Sequence, residues 1–113
     1  SKNWKNQFHF INPQKNMSPS WFGLPILIDK KYIKKKKKFL RFLENKGIEN
    51  RPIVSGNFLN QPATKLYKIK FKGSFLNSQV IEETGFFIGL HTKKLKPRLI
   101  DYIVKNLLMI DKL

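Results

Sequence analysis

The sequence predicts a small α+β domain, an α/β sandwich in which a three-stranded sheet carries helices packed on one face. Two observations lead to this fold class. The chain has 113 residues of which 41% are hydrophobic, enough for one domain with a modest core. Short apolar runs, typical of strands, alternate with segments of helical periodicity in the order β-α-β-α-β-α, which favours one small sheet covered by helices.

The first half of the chain predicts a linker, a strand and a helix. Residues 1–20 contain breaker pairs such as Asn12-Pro13, so we expect an N-terminal linker segment that lies over a surface, followed by the domain proper at residues 21–113. The apolar run 21–28 predicts a strand, which Pro25 places at an edge or a bulge. Residues 30–46 predict an amphipathic helix that ends before Gly47. Its lysine run, 34–38, is expected to face solvent except for the stems of Lys36 and Lys37, which can lie along apolar surface.

The second half predicts two more strands and three helical segments. The strands are expected at residues 50–55 and 86–88, separated by a Gly56-Asn57 loop, one helical turn at 63–67 and a short helix at 79–84 that Asn77 or Ser78 would cap. A last helix is expected from Lys96, with Pro97 in its first turn. This helix is expected to end at about residue 111. Its apolar stripe consists of Leu99, Ile100, Ile103, Val104, Leu107 and Leu108.

The charge of the chain suggests a nucleic-acid-binding module as an alternative function. The formal net charge is +16, and a protein this basic is attracted to polyanions. However, 20 of the 23 basic residues are Lys, whereas Arg is the preferred residue for bidentate recognition of bases and phosphates. The chain is also rich in Asn, Ile and Phe, which like Lys have A/T-rich codons. We therefore attribute the lysines to a composition bias and regard nucleic acid as an unlikely partner.

Several kinds of chemistry find no support in the sequence. There is no cysteine, which excludes disulfides and thiolate chemistry within the chain. We find no nucleotide-binding glycine motif, no metal-ligand spacing and no pair of carboxylates set for acid–base catalysis, so no catalytic or metal residue is predicted. No apolar run is long enough for a membrane span.

Three polar residues are candidates for ligand contact, each with a structural alternative. His91 follows a predicted strand, where ligands bind in open sheets, but it could instead make a hydrogen bond at a helix start. Asn57 could contact a ligand or close an Asx turn. Arg51 could bind an anion or pair with Glu49. The aromatic residues near these positions could stack on a ligand or pack in the core; they are Phe58, Tyr67, Phe86 and Phe87.

Four segments together resemble one enzyme family. They are Trp21 to Ile26 (WFGLPI), Gly47 to Pro52 (GIENRP), Ser55 to Phe58 (SGNF) with Gln61-Pro62, and Gly85 to Gly89 (GFFIG) with His91. In this order and spacing the segments resemble the C-terminal small domain of the DegT/DnrJ/EryC1/StrS family of pyridoxal-phosphate (PLP)-dependent nucleotide-sugar aminotransferases. The similarity is greatest to the branch that resembles CDP-4-keto-6-deoxyglucose 3-dehydrase. Leu90 departs from the family pattern, which has a polar residue before the histidine.

The resemblance implies the C-terminal fragment of a fold-type I PLP enzyme that works in the cytoplasm as a homodimer. The missing large domain would bind PLP or PMP, so the cofactor-binding residues are unknown and the chain alone should be inactive. This part would close over a 4-keto-6-deoxy sugar nucleotide, in lipopolysaccharide (O-antigen) biosynthesis. The substrate-binding residues implied are Arg51, Asn57, His91 and Gln61. The alternatives are the lysine-rich nucleic-acid module and a free-standing interaction domain derived from the enzyme fold.

Overall fold

The computed structural model describes residues 4–113 and contains a four-stranded antiparallel sheet with helices. The strands run in the spatial order β1-β2-β4-β3, and all three pairings are antiparallel. The elements are β1 (Phe8–Phe10), β2 (Gly23–Ile28), α1 (Lys36–Asn45), β3 (Asn50–Arg51), α2 (Pro62–Leu66), α3 (Leu76–Thr84), β4 (Gly85–Gly89) and α4 (Pro97–Leu107), with 3-10 helices at Lys30–Lys35, Phe58–Asn60 and Leu108–Lys112.

The core lies on one face of the sheet. Alternate residues of the two central strands point to this face, where they meet α1 and the C-terminal helical segment, because side chains along a strand alternate between faces. The buried apolar residues are Phe8, Ile26, Ile28, Phe39, Leu43, Ile48, Phe86, Ile88, Leu107 and Ile110. Phe39 and Leu43 are four residues apart, so both lie on the same side of α1. The predicted α+β class is therefore confirmed.

The sheet has four strands, and the prediction of three was wrong. Phe8–Phe10 pairs with the end of β2, with Phe8 opposite Ile28 and Phe10 opposite Ile26. Phe8 is buried in the core, so this part of the predicted linker contributes to the domain's core instead of only covering a surface. The pairing with β1 includes only Ile26 to Ile28, so β2 has an open edge on that side at residues 23–25. A proline is tolerated there although β2 is otherwise an interior strand.

The lysine-rich helix differs from its prediction in its first turns. Residues Lys30–Lys35 form a 3-10 helix. Asp29 caps its N-terminus, because its side chain accepts a hydrogen bond from the backbone N–H of Lys31. A 3-10 helix has three residues per turn instead of the roughly 3.6 of an α-helix. The side of the helix that faces the core is therefore shifted, and Phe39 occupies the core position. Lys36 is half-buried as predicted, and burial lowers its pKa, whereas Lys37 is exposed, contrary to the prediction. Gly47 ends the helix with a φ of 72°, as predicted.

A cluster of three polar side chains joins the two ends of the described chain. Gln7 is buried, and its Nε2 donates to Asp111 Oδ2 at 2.8 Å, while the Tyr32 hydroxyl donates to the other oxygen of the same carboxylate. These hydrogen bonds favour the charged carboxylate, so they lower the pKa of Asp111, and the bond to Asp111 raises the pKa of Tyr32 to about 12. The carboxylate therefore holds the C-terminal 3-10 helix against the region of β1.

Other predicted elements are present with shifted ends. The strand expected at 50–55 is only Asn50–Arg51, because Pro52 cannot donate to the ladder. The helix α3 starts at Leu76, before the predicted caps Asn77 and Ser78, and no side chain caps it. It packs against the 3-10 helix at Lys30–Lys35 and against strands β2 and β4. The helix α4 starts at Pro97 as predicted.

Candidate functional site

A cleft lies at the end of the sheet where β3 and β4 meet α4. It has a volume of about 500 Å³. Its walls come from Gly47 to Glu49 after α1, from Arg51 of β3, from the end of β4 and the residues after it, and from the first turns of α4. The lining residues are Phe22, Gly47, Ile48, Glu49, Arg51, Phe87, Ile88, Gly89, Leu90, His91, Leu95, Leu99, Tyr102 and Ile103. The cleft is thus mostly apolar with a few polar side chains, a composition typical of small-molecule sites.

Register brings Arg51 and His91 to this cleft. Arg51 pairs with Phe87, and β4 ends at Gly89, two residues before His91. The backbone N–H of Leu90 donates to Phe22 O at 3.0 Å, which fixes the chain as it leaves β4. The backbone N–H of Lys93 donates to His91 Nδ1 at 3.3 Å, so in the neutral ring the Nε2 atom carries the proton. Two of the four predicted site residues therefore share one cleft.

The guanidinium of Arg51 is engaged by a neighbouring acid. Its Nε and Nη2 atoms both donate to Glu49 Oε1, at 3.0 Å and 2.7 Å. Both side chains are largely exposed, at 68% for Arg51 and 76% for Glu49. Glu49 stands two residues before Arg51, and residues two apart in extended backbone lie on the same side, so the sequence spacing indicates this pairing. An exposed pair of this kind contributes only about 0–1 kcal/mol, so it leaves Arg51 able to exchange partners.

Aromatic side chains form one wall of the cleft. The rings of Phe22 and Phe87 lie 5.5 Å apart at an interplanar angle of 74°, and Phe22 is 78% exposed. A side chain at Gly23 would place its Cβ 2.6 Å from the Phe87 ring, so glycine is required for this ring to lie against the strand. On the opposite wall the Tyr102 hydroxyl donates to Lys46 O at 2.9 Å and ties α4 to the end of α1. Glu49, Phe22 and Tyr102 were not among the predicted site residues.

Neither Asn57 nor Gln61 lines the cleft. Asn57 is buried; its Oδ1 accepts from Leu59 N at 3.2 Å and its Nδ2 donates to Gln79 Oε1 at 3.1 Å. Gln61 lies between the 3-10 helix at Phe58–Asn60 and α2, and its carbonyl accepts from the hydroxyl of the buried Thr64 at 2.8 Å. Both residues shape the loop after β3, so a ligand contact at either one stays a prediction.

The four aromatic residues that could stack on a ligand have separate environments. Phe86 is fully buried in the core, whereas Phe87 lines the cleft. Phe58 and Tyr67 are 54% and 74% exposed and lie away from the cleft. Among the described residues no three of His, Cys, Asp or Glu come together as metal ligands, and no helix there is long and apolar enough to cross a membrane.

Comparison with known proteins finds sugar-nucleotide enzymes. The chain is 34% identical over 91 residues to GDP-4-keto-6-deoxy-D-mannose 3-dehydratase of Escherichia coli, covering 80% of this chain and 23% of that protein. It is 30% identical over 88 residues to the lipopolysaccharide biosynthesis protein RfbH of Salmonella typhimurium, covering 78% of this chain and 20% of that protein. No protein-family profile matches the chain.

Solved structures of the same enzymes have the same fold. The E. coli 3-dehydratase with bound hydrated PLP superimposes with a TM-score of 0.75 at 31% identity, covering 91% of this chain and 26% of that one. A variant of GDP-4-keto-6-deoxymannose-3-dehydratase with bound GDP-perosamine gives a TM-score of 0.74 at 30% identity, over 90% of this chain and 26% of that one. The chain therefore spans about a quarter of the length of the proteins it matches.

Proposed function

We propose that this chain is the C-terminal part of a PLP- or PMP-dependent enzyme that acts on a 4-keto-6-deoxy sugar nucleotide. The observation that carries the proposal is the superposition on the E. coli 3-dehydratase, which includes nearly the whole chain at 31% identity. The name of the Salmonella relative supports a role in lipopolysaccharide biosynthesis. We further propose membership of the DegT/DnrJ/EryC1/StrS family, a cytoplasmic location and a homodimeric parent enzyme.

The cofactor belongs to the rest of the enzyme in this proposal. None of the residues that line the cleft is a lysine, so this site offers no amine for a Schiff base. The half-buried Lys36 lies elsewhere, and its Nζ donates to the backbone oxygen of Glu82 at 3.0 Å. The residues that line the cleft thus do not fit a PLP site that binds its cofactor through a lysine. PLP supplies carbanion stabilisation when it is bound, and this chain's share is to bind and orient the sugar nucleotide.

Arg51 is the residue best suited to hold the charged part of the substrate. Its pair with Glu49 is exposed and contributes only about 0–1 kcal/mol, whereas charge-assisted bonds from a guanidinium to a phosphate contribute about 1.5–3 kcal/mol. A diphosphate that enters the cleft can therefore displace Glu49. His91 offers a donor at Nε2, and the Phe22–Phe87 wall offers an apolar surface for a ring. Asn57 and Gln61 remain candidates through the loop that they build.

The lysine excess does not require a nucleic-acid partner. The lysines of the 34–38 run are exposed or half-exposed, and two of them donate hydrogen bonds to backbone oxygens elsewhere in the chain, Lys36 to Glu82 O and Lys38 to Leu113 O. Such a distribution supports solvent-facing charge on an enzyme surface. The nucleic-acid alternative predicts binding to random oligonucleotides with a steep dependence on salt. Weak binding that disappears at physiological salt would agree with our proposal.

The proposal can be tested with the parent protein, expressed from the complete gene. We expect the purified parent to carry PLP, seen by its visible absorbance, and to convert GDP-4-keto-6-deoxy-D-mannose. A dehydratase yields a product that lacks the C3 hydroxyl, whereas an aminotransferase yields an amino sugar, and mass spectrometry separates the two. The 113-residue chain alone should be inactive. A parent that binds PLP but leaves sugar nucleotides unchanged would contradict the substrate class.

A pair of matched substitutions tests the role of Arg51. In the parent, Arg51→Ala should raise KM about 10-fold or more, because it removes a charge-assisted bond to the substrate. Glu49→Ala should leave KM unchanged or lower it, since it only frees the guanidinium. Equal increases in KM for both variants would show that the ion pair, and not Arg51 alone, is what the substrate needs.

A further inference from the structure

Exposed apolar side chains are concentrated in one stretch of the chain. Of the fifteen large hydrophobic residues that the structure leaves exposed among residues 4–113, seven fall between positions 54 and 76. Among these seven residues, the most exposed are Val54 at 87%, Leu76 at 75%, and Leu66 and Tyr67 at 74% each. We call this set the 54–76 surface; its members are Val54, Phe58, Leu66, Tyr67, Ile69, Phe71 and Leu76. Exposed apolar side chains concentrated on one segment indicate a candidate interaction site.

Hydrogen bonds and close contacts with α3 fix the first part of the backbone that carries this surface. Asn57 Nδ2 and Asn60 Nδ2 both donate to Gln79 Oε1 of α3, at 3.1 Å and 3.0 Å. Gly56 lies so close to α3 that an added Cβ would be 2.7 Å from Glu82 Cα. Val54 has a φ of 39°, a conformation that a β-branched residue adopts only when its surroundings impose it. The surface is thus presented by a firmly packed loop.

The helical turn and the extended segment that follow are tied to the same loop. The hydroxyl of the buried Thr64 donates to Leu59 O at 3.1 Å, and the backbone N–H of Ile69 donates to Thr64 O at 3.1 Å. The rings of Phe71 and Phe75 pack edge to face at 5.8 Å, just before α3 begins. Residues 54–76 therefore form one segment that contacts α3 near its beginning and continues into α3 at its end, and it carries the seven exposed apolar side chains.

The charges around this surface indicate what it can contact. Lysines alternate with the apolar residues along the extended segment, at positions Lys65, Lys68, Lys70 and Lys72, and all four are exposed. A second copy of this chain would bring two such rows of ammonium groups together, and like charges in contact oppose association. A matching partner has an apolar centre and a rim of Asp and Glu.

We propose that the 54–76 surface docks onto the cofactor-binding remainder of the parent enzyme, on an apolar patch with an acidic rim. This inference rests on the proposed function. The chain covers only 23% of the E. coli protein, so most of a parent enzyme of that length lies outside this chain and could supply the docking patch. In the isolated chain the surface has no partner. In the parent enzyme it fixes the angle at which the cleft with Arg51 faces the active centre.

Hydroxyl-radical footprinting of the parent protein and of the 113-residue chain tests the docking. In the parent without substrate, we expect the oxidation rates of Tyr67 and Phe71 to fall about 5-fold or more, because docking removes their exposed area from water. Ile100 is 47% exposed on α4 and does not line the cleft, so its oxidation rate should change less than about 2-fold. Equal rates for Tyr67 and Phe71 in the two proteins would overturn the docking surface.

Charge reversal in the parent gives a second, independent measurement. The pair Lys70→Glu and Lys72→Glu should restore much of the oxidation of Tyr67, because it places like charges against the acidic rim. The control pair Lys30→Glu and Lys34→Glu changes net charge equally and should leave the protection intact. The opposite pattern would overturn the proposal. A parent that protects Tyr67 but binds no PLP overturns the proposed function alone, whereas a gene that encodes no more than these 113 residues overturns both.

Discussion

Because Gly56 contacts α3, replacing it with alanine should lower the free energy of unfolding substantially. Gly56 has a φ of 60°, and a Cβ there would lie 2.6 Å from Glu82 Cβ and 2.7 Å from its Cα. An L-residue in this conformation costs about 1–2 kcal/mol. Forcing a methyl group into packed backbone costs about 1–3 kcal/mol more. We therefore expect Gly56→Ala to lower the free energy of unfolding by about 2–5 kcal/mol, as the sum of these two costs.

Gly47 provides the matched control, because it has the same backbone conformation without the contact. Its φ is 72°, and an added Cβ would meet nothing within 4 Å. Gly47→Ala should therefore cost only the conformational part, about 1–2 kcal/mol. Asparagine tolerates this conformation, so Gly47→Asn should be close to neutral while Gly56→Asn stays destabilising through its Cβ.

Urea denaturation followed by far-UV circular dichroism measures these differences. The midpoint should shift with little change in slope, because neither substitution alters how much surface unfolding exposes. The reasoning would be refuted if Gly56→Ala and Gly47→Ala lowered the free energy of unfolding equally. That result would mean that the loop yields to the methyl group and is not held against α3.

Three further substitutions, one of them with a matched control, test the core, the loop and the C-terminal cluster. Leu43→Ala should destabilise the fold by about 2–5 kcal/mol, whereas Leu99→Ala, at a 45% exposed site, should cost less than about 0.5 kcal/mol in the same urea titration. Asn57→Ala should cost about 1–3 kcal/mol, because it leaves buried groups of the loop unpaired; a neutral result would contradict the packing seen here. Asp111→Asn tests a pH dependence. The hydrogen bonds from Tyr32 and Gln7 lower the pKa of Asp111, so its stabilisation is present above the unfolded pKa of about 3.9 and is lost as pH falls through the folded pKa. The stability difference between wild type and Asp111→Asn should therefore be constant above about pH 5 and shrink as the pH falls below it through the folded pKa, and a difference that stays constant throughout the acid range would contradict it.

Local patterns in the sequence predicted those elements that local interactions determine. The start of α4 follows from Pro97, whose fixed φ suits a first helical turn, and the end of α1 follows from Gly47. In contrast, β1 is only three residues long, and the single alternation of the exposed His9 between two phenylalanines is too short to predict a strand. It exists because Phe8 is buried in a core that residues far along the chain complete, which no local window contains.

The candidate site was predicted in part for the same reason. Arg51 was identified as a possible anion ligand and His91 because it follows a predicted strand, and the antiparallel pairing of β3 with β4 brings both to the same cleft. Phe22 was missed although it belongs to the resembling segment Trp21 to Ile26. Its place in the cleft depends on contacts with Phe87 and Leu90, which lie far away in the sequence. Tyr102 was missed because it lies beside the apolar stripe of α4, where a tyrosine has no distinguishing pattern.

The amide-rich loop after β3 shows why residue type alone is an incomplete guide to binding. An asparagine after a glycine at a strand end has the chemistry of a ligand contact, yet both polar atoms of Asn57 are already bonded, to Leu59 N and to Gln79 Oε1. A ligand that took over either bond would leave a buried group unpaired, at a cost of about 1–3 kcal/mol. Arg51 loses only about 0–1 kcal/mol when it exchanges its exposed partner, Glu49. Of these two residues, Arg51 can therefore bind an incoming anion at lower cost, while Asn57 maintains the loop that carries the exposed Phe58 and Val54.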